Sequence, residues 1–261
     1  QHISYEKEKE HKKKRVEDAF SHIAHINIEA ETLLSDNKTT CYRNKAQYPV
    51  SFDRQLKIGF FAPRSHRVVD CENCILQPPI FADIVKIFRK FIIKNGITVY
   101  NSEKHTGLLR HIYLRLAEAT GEVMVCAVIN GEDLPHKDEL IEKLTEIPSV
   151  KSIVLNINRD RTNVILGKEC VTVWGNDCIY DVLCGVKVRL SPLSFYQVNH
   201  DMAQQLYEKA AEYACLSGKE TVLDMYCGTG TIGLSMAKKA KRIIGAEIVP
   251  EAVLDAKRNA L

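Results

Sequence analysis

The sequence predicts an α/β chain, in which an α+β domain over residues 1–190 precedes the first half of a doubly wound, parallel-sheet domain over residues 191–261. Three observations lead to this prediction. Strand-like and helix-like segments alternate irregularly up to residue 190, as in α+β domains. After residue 191 a strand, a glycine-rich loop, a helix, a strand and a helix follow one another. The composition, 45% hydrophobic and 26% charged, is that of a globular chain with a sizeable core.

The N-terminal segment 3–24 consists of good helix formers with mixed charge, so we predict one helix there. Its basic run, residues 12–15, has two interpretations. The run lies on a solvated helix face, or it faces a phosphate backbone.

Residues 41–190 are interpreted from apolar periodicity and turn residues. Apolar residues at helical spacing predict a helix over 81–95, and a second helix is predicted over 138–146. Strands are predicted over 48–52, 56–61, 111–116, 122–128 and 152–158. Three further strands, over 163–167, 170–174 and 178–183, are expected to form a small antiparallel meander.

The last part of the chain has the order of a doubly wound sheet. The predicted elements are a helix over 201–215, buried strands over 221–225 and 242–247, and helices over 231–241 and 250–260. Two strands are fewer than a complete sheet of this class needs, and they would expose their apolar faces. The chain also opens with Gln1 rather than methionine. We therefore expect a fragment of a longer protein.

The loop V-L-D-M-Y-C-G-T-G-T-I-G (222–233) fits two ligand patterns. It contains the dinucleotide pattern G-x-G-x-x-G, and Glu247 follows Gly228 by 19 positions, as that pattern also requires. Asp224 favours the other interpretation. Its carboxylate would repel a diphosphate, whereas it would attract the ammonium and sulfonium of S-adenosylmethionine. Two alternatives remain: the loop binds a dinucleotide, or Asp224 only caps a helix or faces solvent.

Three segments together resemble one family, the RNA (uracil-C5)-methyltransferases, and especially the bacterial 23S ribosomal RNA enzymes. They are G-F-F-A-P-R-S-H-R-V-V-D-C-E-N-C (59–74), S-P-L-S-F-Y-Q-V-N (191–199) and the glycine loop. The resemblance implies an RNA-binding central domain with features of iron–sulfur members over 1–190. It also implies an incomplete class I (Rossmann-like) methyltransferase domain over 191–261.

The resemblance implies a binding site for S-adenosylmethionine. Gln197 matches a glutamine that contacts the methyl donor, and Glu247 matches the acid that holds the ribose hydroxyls. The other positions are in the glycine loop and at the start of its helix, where they are expected to contact or admit the donor. They are Asp224, Tyr226, Gly228, Gly230 and Thr231.

Cys74 matches the fourth thiolate of a [4Fe–4S] cluster in some members of the family. The other three thiolates would precede Gln1, since the chain opens with Q-H-I-S-Y, which resembles the residues after the last of them. We expect the cluster in the parent protein and not in this chain, because four thiolates normally hold it. A zinc site at Cys71 and Cys74 would need two further ligands.

The family mechanism implies catalytic residues that this chain lacks. A cysteine in an S-C-N-P-like segment adds to C6 of uracil, and a glutamate later removes the C5 proton. Both residues are expected beyond Leu261, so the chain itself is expected to be inactive. The expected substrate is a uridine in 23S ribosomal RNA. A non-catalytic RNA-binding module and an NAD-type oxidoreductase remain alternatives.

Charge and cysteine content indicate the cellular compartment and the kind of partner. The net charge is +3, and nine cysteines without a signal peptide are typical of reduced, cytoplasmic thiols. We expect a monomer without a membrane-spanning segment. Basic side chains in the predicted first hairpins form either a solvated edge or a surface that follows the RNA backbone. They are Arg43, Lys45, Arg54, Lys57, Arg64, His66 and Arg67.

Overall fold

The computed structural model describes residues 3–31 and 33–261. The chain divides into two units, Gln1–Thr40 and Cys41–Leu261. In the first unit, helix α1 (Tyr5–Ala19) continues into a short π-helix (Phe20–Ala24). The hydroxyl of Tyr5 is 2.6 Å from that of Ser35, so the segment after the helix returns to its start. The helix predicted over 3–24 is confirmed.

The second unit contains eleven strands and five α-helices among the described residues. In chain order these are β1 (Lys45–Asp53), β2 (Gln55–Phe61), β3 (Val68–Asp70), α2 (Pro79–Asn95), β4 (Leu109–Leu116), β5 (Val123–Ile129), α3 (Lys137–Thr145), β6 (Val150–Ile157), β7 (Glu169–Gly175), β8 (Ile179–Leu183), β9 (Val186–Leu190), α4 (His200–Tyr213), β10 (Thr221–Met225), α5 (Thr231–Met236), β11 (Arg242–Ala246) and α6 (Pro250–Asn259).

A seven-stranded sheet in the order β3-β2-β1-β4-β5-β6-β7 organises this unit. Its strands are antiparallel except for β5 and β6, which run parallel and are joined through α3. Helices α2 and α3 cover one face, where Phe81, Phe88 and Leu144 are buried against alternate strand residues. The hairpin β8–β9 and helix α4 cover the opposite face over β4–β6.

The three-strand meander predicted over 163–183 is wrong. Strand β7 pairs with β6 in the main sheet, and β8 pairs with β9. Residues 163–167 form a loop instead, because two buried amides bind its carbonyl groups. Asn158 donates to the carbonyls of Val164 and Ile165 at 2.8 and 2.9 Å, and Asn156 donates to that of Gly167 at 2.8 Å. These side chains satisfy backbone groups that a strand partner would otherwise bind.

Strands β10 and β11 pair in parallel, with Asp224 opposite Gly245. The predicted strand–loop–helix–strand–helix order is therefore confirmed. The helix predicted over 231–241 is shorter, because its last part forms a 3₁₀ turn (Ala237–Lys239). Both strands have the apolar residues of buried strands, and two such strands alone were expected to expose their apolar faces. That expectation is confirmed: Leu223 and Met225 are 57% and 60% exposed, because each strand has one neighbour among the described residues.

Within residues 3–31 and 33–261, no helix combines the length and the apolar character that a bilayer crossing requires.

Candidate functional site

The glycine loop connects the end of β10 to the start of α5 through residues in the left-handed conformation, which glycine adopts freely and Tyr226 adopts under strain. Tyr226, Gly228 and Gly230 all have positive φ angles of 60°, 56° and 81°. The left-handed conformation costs a non-glycine residue about 1 kcal/mol, and such strain clusters at functional sites. Tyr226 is 83% exposed. Apart from the two chain neighbours of Gly228, no described atom lies within 4 Å of the position that a Cβ would take there, so the loop is open above this residue.

Asp224 lies on β10 and accepts a hydrogen bond from the first turn of α5. Its Oδ2 is 2.8 Å from the backbone nitrogen of Gly233. A Cβ at Gly233 would lie 3.0 Å from the same oxygen, so this approach requires glycine. The helix-capping interpretation of Asp224 therefore accounts for one carboxylate oxygen. Its contact with a methyl donor stays a prediction.

Glu247 follows β11 and binds the glycine loop directly. Its Oε2 accepts from the backbone N–H of Gly228 at 2.9 Å, and its Oε1 accepts from those of Ile248 and Val249 at 2.8 and 2.9 Å. The N–H groups of Val249 and Gly228 lower the pKa of this carboxyl below its usual value. Glu247 is therefore ionised at neutral pH, and its acidic charge lies beside the loop.

Cys227 is held beneath the loop as a thiol. Its Sγ lies against Gly245, where a Cβ would come within 2.9 Å of the sulfur. Burial raises the pKa of the Cys227 thiol, and the charges of Asp224 and Glu247 raise it further. A thiol with a raised pKa is a poor nucleophile at neutral pH. The same effect indicates that both carboxylates impose negative potential on the loop.

The segment 191–199, which carries Gln197, is anchored by side chains from distant parts of the chain. The buried guanidinium of Arg115 donates to the carbonyls of Ser191 and Ser194 at 3.0 and 2.7 Å. Asn44 donates through its side chain to the carbonyl of Gln197 at 2.9 Å. These bonds fix the backbone on which Gln197 is presented.

Tyr196, the neighbour of Gln197, is fixed through its hydroxyl. It donates to the carboxylate of Asp181 at 3.1 Å, and both side chains are buried. Asp181 also accepts from the backbone N–H groups of Glu118 and Ala119 at 3.1 and 2.8 Å. Gln197 is therefore preceded by a side chain that has little freedom to move.

Helix α6 contributes a buried acid to the same segment. Both oxygens of Asp255 are used: Oδ2 accepts from the hydroxyls of Ser191 and Ser194 at 2.8 and 2.6 Å, and Oδ1 accepts from Arg189 at 2.5 Å. Arg189 also binds Asp177 at 2.6 Å. The two serines of the S-x-x-S pattern are therefore ligands of one carboxylate.

One turn later, Asn259 joins α6 to the glycine loop. Its side-chain amide donates to the carbonyl of Thr229 at 3.0 Å, and its oxygen accepts from the backbone N–H of Arg189 at 2.7 Å. Asp255 and Asn259 are four positions apart and so share one helix face. Through them α6 links the segment that carries Gln197 to the loop that carries Gly228 and Gly230.

Of the predicted donor-binding residues, the structure brings Asp224, Gly228 and Glu247 together at one loop. Thr231, half-buried, begins α5 next to Gly230. The linking residues Asn44, Arg115, Asp181, Asp255 and Asn259 are absent from the sequence-based prediction. Their only local signal is polarity, such as an acid and an amide at i and i+4 on a short amphipathic helix.

Cys74 is half-buried and lies close to Cys71. The neighbouring Cys74 is one of the causes, after burial, of a raised pKa at the Cys71 thiol. Among residues 3–31 and 33–261, no group of three or more histidine, cysteine or acidic side chains is arranged to hold a metal ion. Two thiols do not match the four that a [4Fe–4S] cluster needs. Gln1 and His2, which begin the Q-H-I-S-Y match, lie outside the described residues.

Comparison with known proteins identifies several relatives. Residues 142–261 match the family model described as tRNA (Uracil-5-)-methyltransferase. Uncharacterized RNA methyltransferases of Clostridium tetani and Halalkalibacterium halodurans are each 44% identical to this chain over its whole length. The chain spans 57% of the length of either relative.

A solved structure has the same fold over almost the whole chain. It is the crystal structure of Pyrococcus abyssi tRNA (uracil-54, C5)-methyltransferase in complex with S-adenosyl-L-homocysteine. The match has a TM-score of 0.82 and 27% identity, and covers 99% of this chain and 60% of the other. In its family-model match, its relatives and this shared fold, the chain is similar to the RNA (uracil-C5)-methyltransferases.

Proposed function

We propose that the protein containing this chain methylates C5 of a uridine in RNA with S-adenosylmethionine as methyl donor. The chain would supply the first half of the donor-binding domain, from residue 191, and an RNA-binding α+β domain before it. The observation that carries the proposal is the pair of carboxylates on the glycine loop: Asp224 accepts from the backbone N–H of Gly233, and Glu247 accepts from that of Gly228. Negative potential suits a cationic sulfonium and opposes the diphosphate of a dinucleotide.

The residues present fit this donor. Glu247 receives three backbone N–H groups, and an ionised carboxylate offers about four accepting positions, so one accepting position is left for a ribose hydroxyl. Gly228 leaves open space for the ligand to approach the backbone. Gln197, Tyr226 and Thr231 would complete the contacts. S-adenosylmethionine would supply an electrophilic methyl group, and the protein would orient it toward the uracil.

The proposed substrate is 23S ribosomal RNA, on the resemblance of the segments 59–74 and 191–199 to enzymes that modify it. Transfer RNA is the second candidate. It is favoured by the description of the matching family and by the tRNA specificity of the Pyrococcus abyssi enzyme. A [4Fe–4S] cluster with Cys74 as one ligand is proposed only for a protein that supplies the remaining thiolates. No step of the reaction depends on it here.

Transfer of a labelled methyl group tests the proposal. The protein that carries this chain, extended over the remaining length of its relatives, is incubated with unmodified 23S ribosomal RNA, with tRNA transcripts and with methyl-labelled donor. Nuclease digestion and mass spectrometry should identify 5-methyluridine in the 23S transcript. Label in tRNA alone would support the second candidate. Label on another base, or none in either RNA, would overturn the proposal.

The 261-residue chain by itself provides the matched control. It should bind the donor and transfer no label, because the nucleophile and the base are expected beyond Leu261. Methylation by the chain alone would contradict this assignment of the catalytic residues.

A further inference from the structure

The seven-stranded sheet carries a cavity on the face opposite to α2 and α3. Tyr48, Val50 and Ile58 point into the core beneath these helices, so the alternate residues of β1 and β2 point to the other side. There Pro49, Ser51 and Lys57 line a cavity with a volume of about 840 Å³. Ligand pockets typically have volumes of about 300–1,000 Å³, so the cavity is large enough for one nucleotide.

A partly exposed aromatic ring lines this cavity. Phe61 is 44% exposed and lies on the same side of β2 as Lys57. The ring of Phe61 makes edge-to-face contacts with His66 and His111, at centroid distances of 5.8 and 6.4 Å. Exposed aromatic side chains on a sheet surface are the usual platform on which proteins stack unpaired RNA bases.

His111 adds polar groups without a protein partner. Both of its ring nitrogens are buried, and neither has a hydrogen-bond partner. Burial lowers the pKa of His111 to about 4, and the charge of Arg110 contributes to the shift. The ring is therefore neutral at pH 7, with one donor and one acceptor. Buried polar groups are nearly always paired. A base that enters the cavity and displaces the neighbouring rings would offer these two nitrogens the complementary pair that they lack.

The charge at the cavity suits a nucleic acid. Lys57 and Arg67 line the cavity, and Arg67 is exposed. Lys57 pairs with Asp53 at 3.6 Å, and the buried guanidinium of Arg110 donates to backbone carbonyls while adding positive charge beneath the cavity. Arg67 is therefore the side chain placed to bind the phosphodiester backbone that accompanies an unstacked base.

We propose that this cavity binds an unstacked nucleobase of a single-stranded RNA segment, with Phe61 stacking on the base and His111 bonding to its edge. The inference rests on the proposed function, in which RNA is the substrate, and it adds a recognition point outside the glycine loop. The lining residues belong to β1–β4 and nearby loops and include none of the predicted donor-binding residues.

Fluorescence anisotropy of the chain with a labelled single-stranded RNA of about eight nucleotides tests the inference. Phe61→Ala should raise the Kd for the oligonucleotide about tenfold, because one stacked base is lost. Phe61→Trp should restore binding. Tyr213→Ala, which removes an aromatic side chain that is 69% exposed on α4, should leave the Kd unchanged. Equal binding by Phe61→Ala and Tyr213→Ala would overturn the proposal.

Two further arms separate the possible outcomes. His111→Phe keeps a ring and removes its polar atoms, so it should abolish any preference among oligo-U, oligo-A and oligo-C. A retained preference would refute the role of His111.

Uridine monophosphate should compete poorly with the oligonucleotide. Competition as strong as that of the oligonucleotide would identify a free-nucleotide site instead. Calorimetry with S-adenosylmethionine on Phe61→Ala should match the unmodified chain. If neither the unmodified chain nor Phe61→Ala bound the donor, the proposed function would be contradicted. The RNA-binding measurements would then still test whether the cavity binds a base.

Discussion

Asp224 and Glu247 bind the backbone of the same glycine loop from two neighbouring parallel strands. Each accepts hydrogen bonds from N–H groups near the start of a helix, where the helix dipole favours negative charge. The two acids therefore stabilise the loop geometry before any ligand is bound. We propose that their combined charge selects a cationic ligand in preference to an anionic one.

At this scale the charge of Asp224 can be tested with an isosteric variant. Asp224→Asn keeps an oxygen for the N–H of Gly233 and removes the negative charge. We expect the Kd for S-adenosylmethionine to rise about tenfold, since a charge-assisted interaction is worth about 1.5 kcal/mol or more. The Kd for S-adenosylhomocysteine should rise less, because its sulfur is uncharged. Isothermal titration calorimetry measures both values.

Asp83→Asn is the matched control for this variant, because Asp83 is an exposed acid on α2 that pairs with Lys86. It should change neither Kd. An equal effect of Asp224→Asn on both ligands would mean that the carboxylate acts only through the loop backbone.

The residues of the glycine loop could be predicted from the sequence. The distant residues that hold the loop and the segment 191–199 could not. Gly228 and Glu247 are 19 positions apart on adjacent parallel strands, so local order predicts their proximity. Asn44 and Gln197 are 153 positions apart. Nothing local distinguishes a polar side chain that is aimed at a distant carbonyl from one that faces water. Such long-range bonds become visible only in the folded chain.

At the scale of elements, α6 is the link between the segment 191–199 and the glycine loop. Asp255 binds both serines of that segment, and Asn259 binds the carbonyl of Thr229. Because α6 binds both partners and packs on β9, the geometry of the proposed donor site depends on the packing of this helix.

The two acids that bind Arg189 allow a direct comparison of buried and exposed ion pairs. The side chain of Asp255 is 4% exposed and that of Asp177 is 68% exposed. Asp255→Ala should lower the free energy of unfolding by about 3 kcal/mol, because it leaves the guanidinium without its buried partner and two serine hydroxyls without their acceptor. Asp177→Ala should lower it by less than about 1 kcal/mol. Urea unfolding followed by circular dichroism measures both values.

Equal destabilisation by these two variants would contradict the assigned burial of the Asp255 pair. A large loss of S-adenosylmethionine affinity in Asp255→Ala, under conditions where the variant remains folded, would support the link through α6.

The sequence predicted a helix or strand correctly where the spacing of its apolar residues and the flanking turn residues define it locally. The apolar stripe of α2 and the short strand β10 were both predicted, because periodicity and flanking turn residues define them locally. The loop at 163–167 has strand-like residues, yet the amides of Asn156 and Asn158 bind its carbonyls. Those bonds depend on tertiary structure and outweigh the local preference.

At the scale of the whole molecule, the sheet in the unit Cys41–Leu261 separates two kinds of surface. One face is closed by helices α2 and α3, and the other carries the cavity next to the β8–β9 hairpin layer. The parallel pair β10–β11 then begins the proposed donor-binding domain. The strand order after residue 190 predicted this fold class, while the boundary between the domains stays a prediction.

The central claim is that the glycine loop holds a cationic methyl donor and not a dinucleotide. Calorimetric titration of the chain with S-adenosylmethionine and with NAD⁺, under one set of conditions, tests it most directly. The account predicts saturable binding of S-adenosylmethionine, with NAD⁺ binding at least about tenfold more weakly because its diphosphate meets Asp224 and Glu247. Tighter binding of NAD⁺ than of S-adenosylmethionine would contradict it.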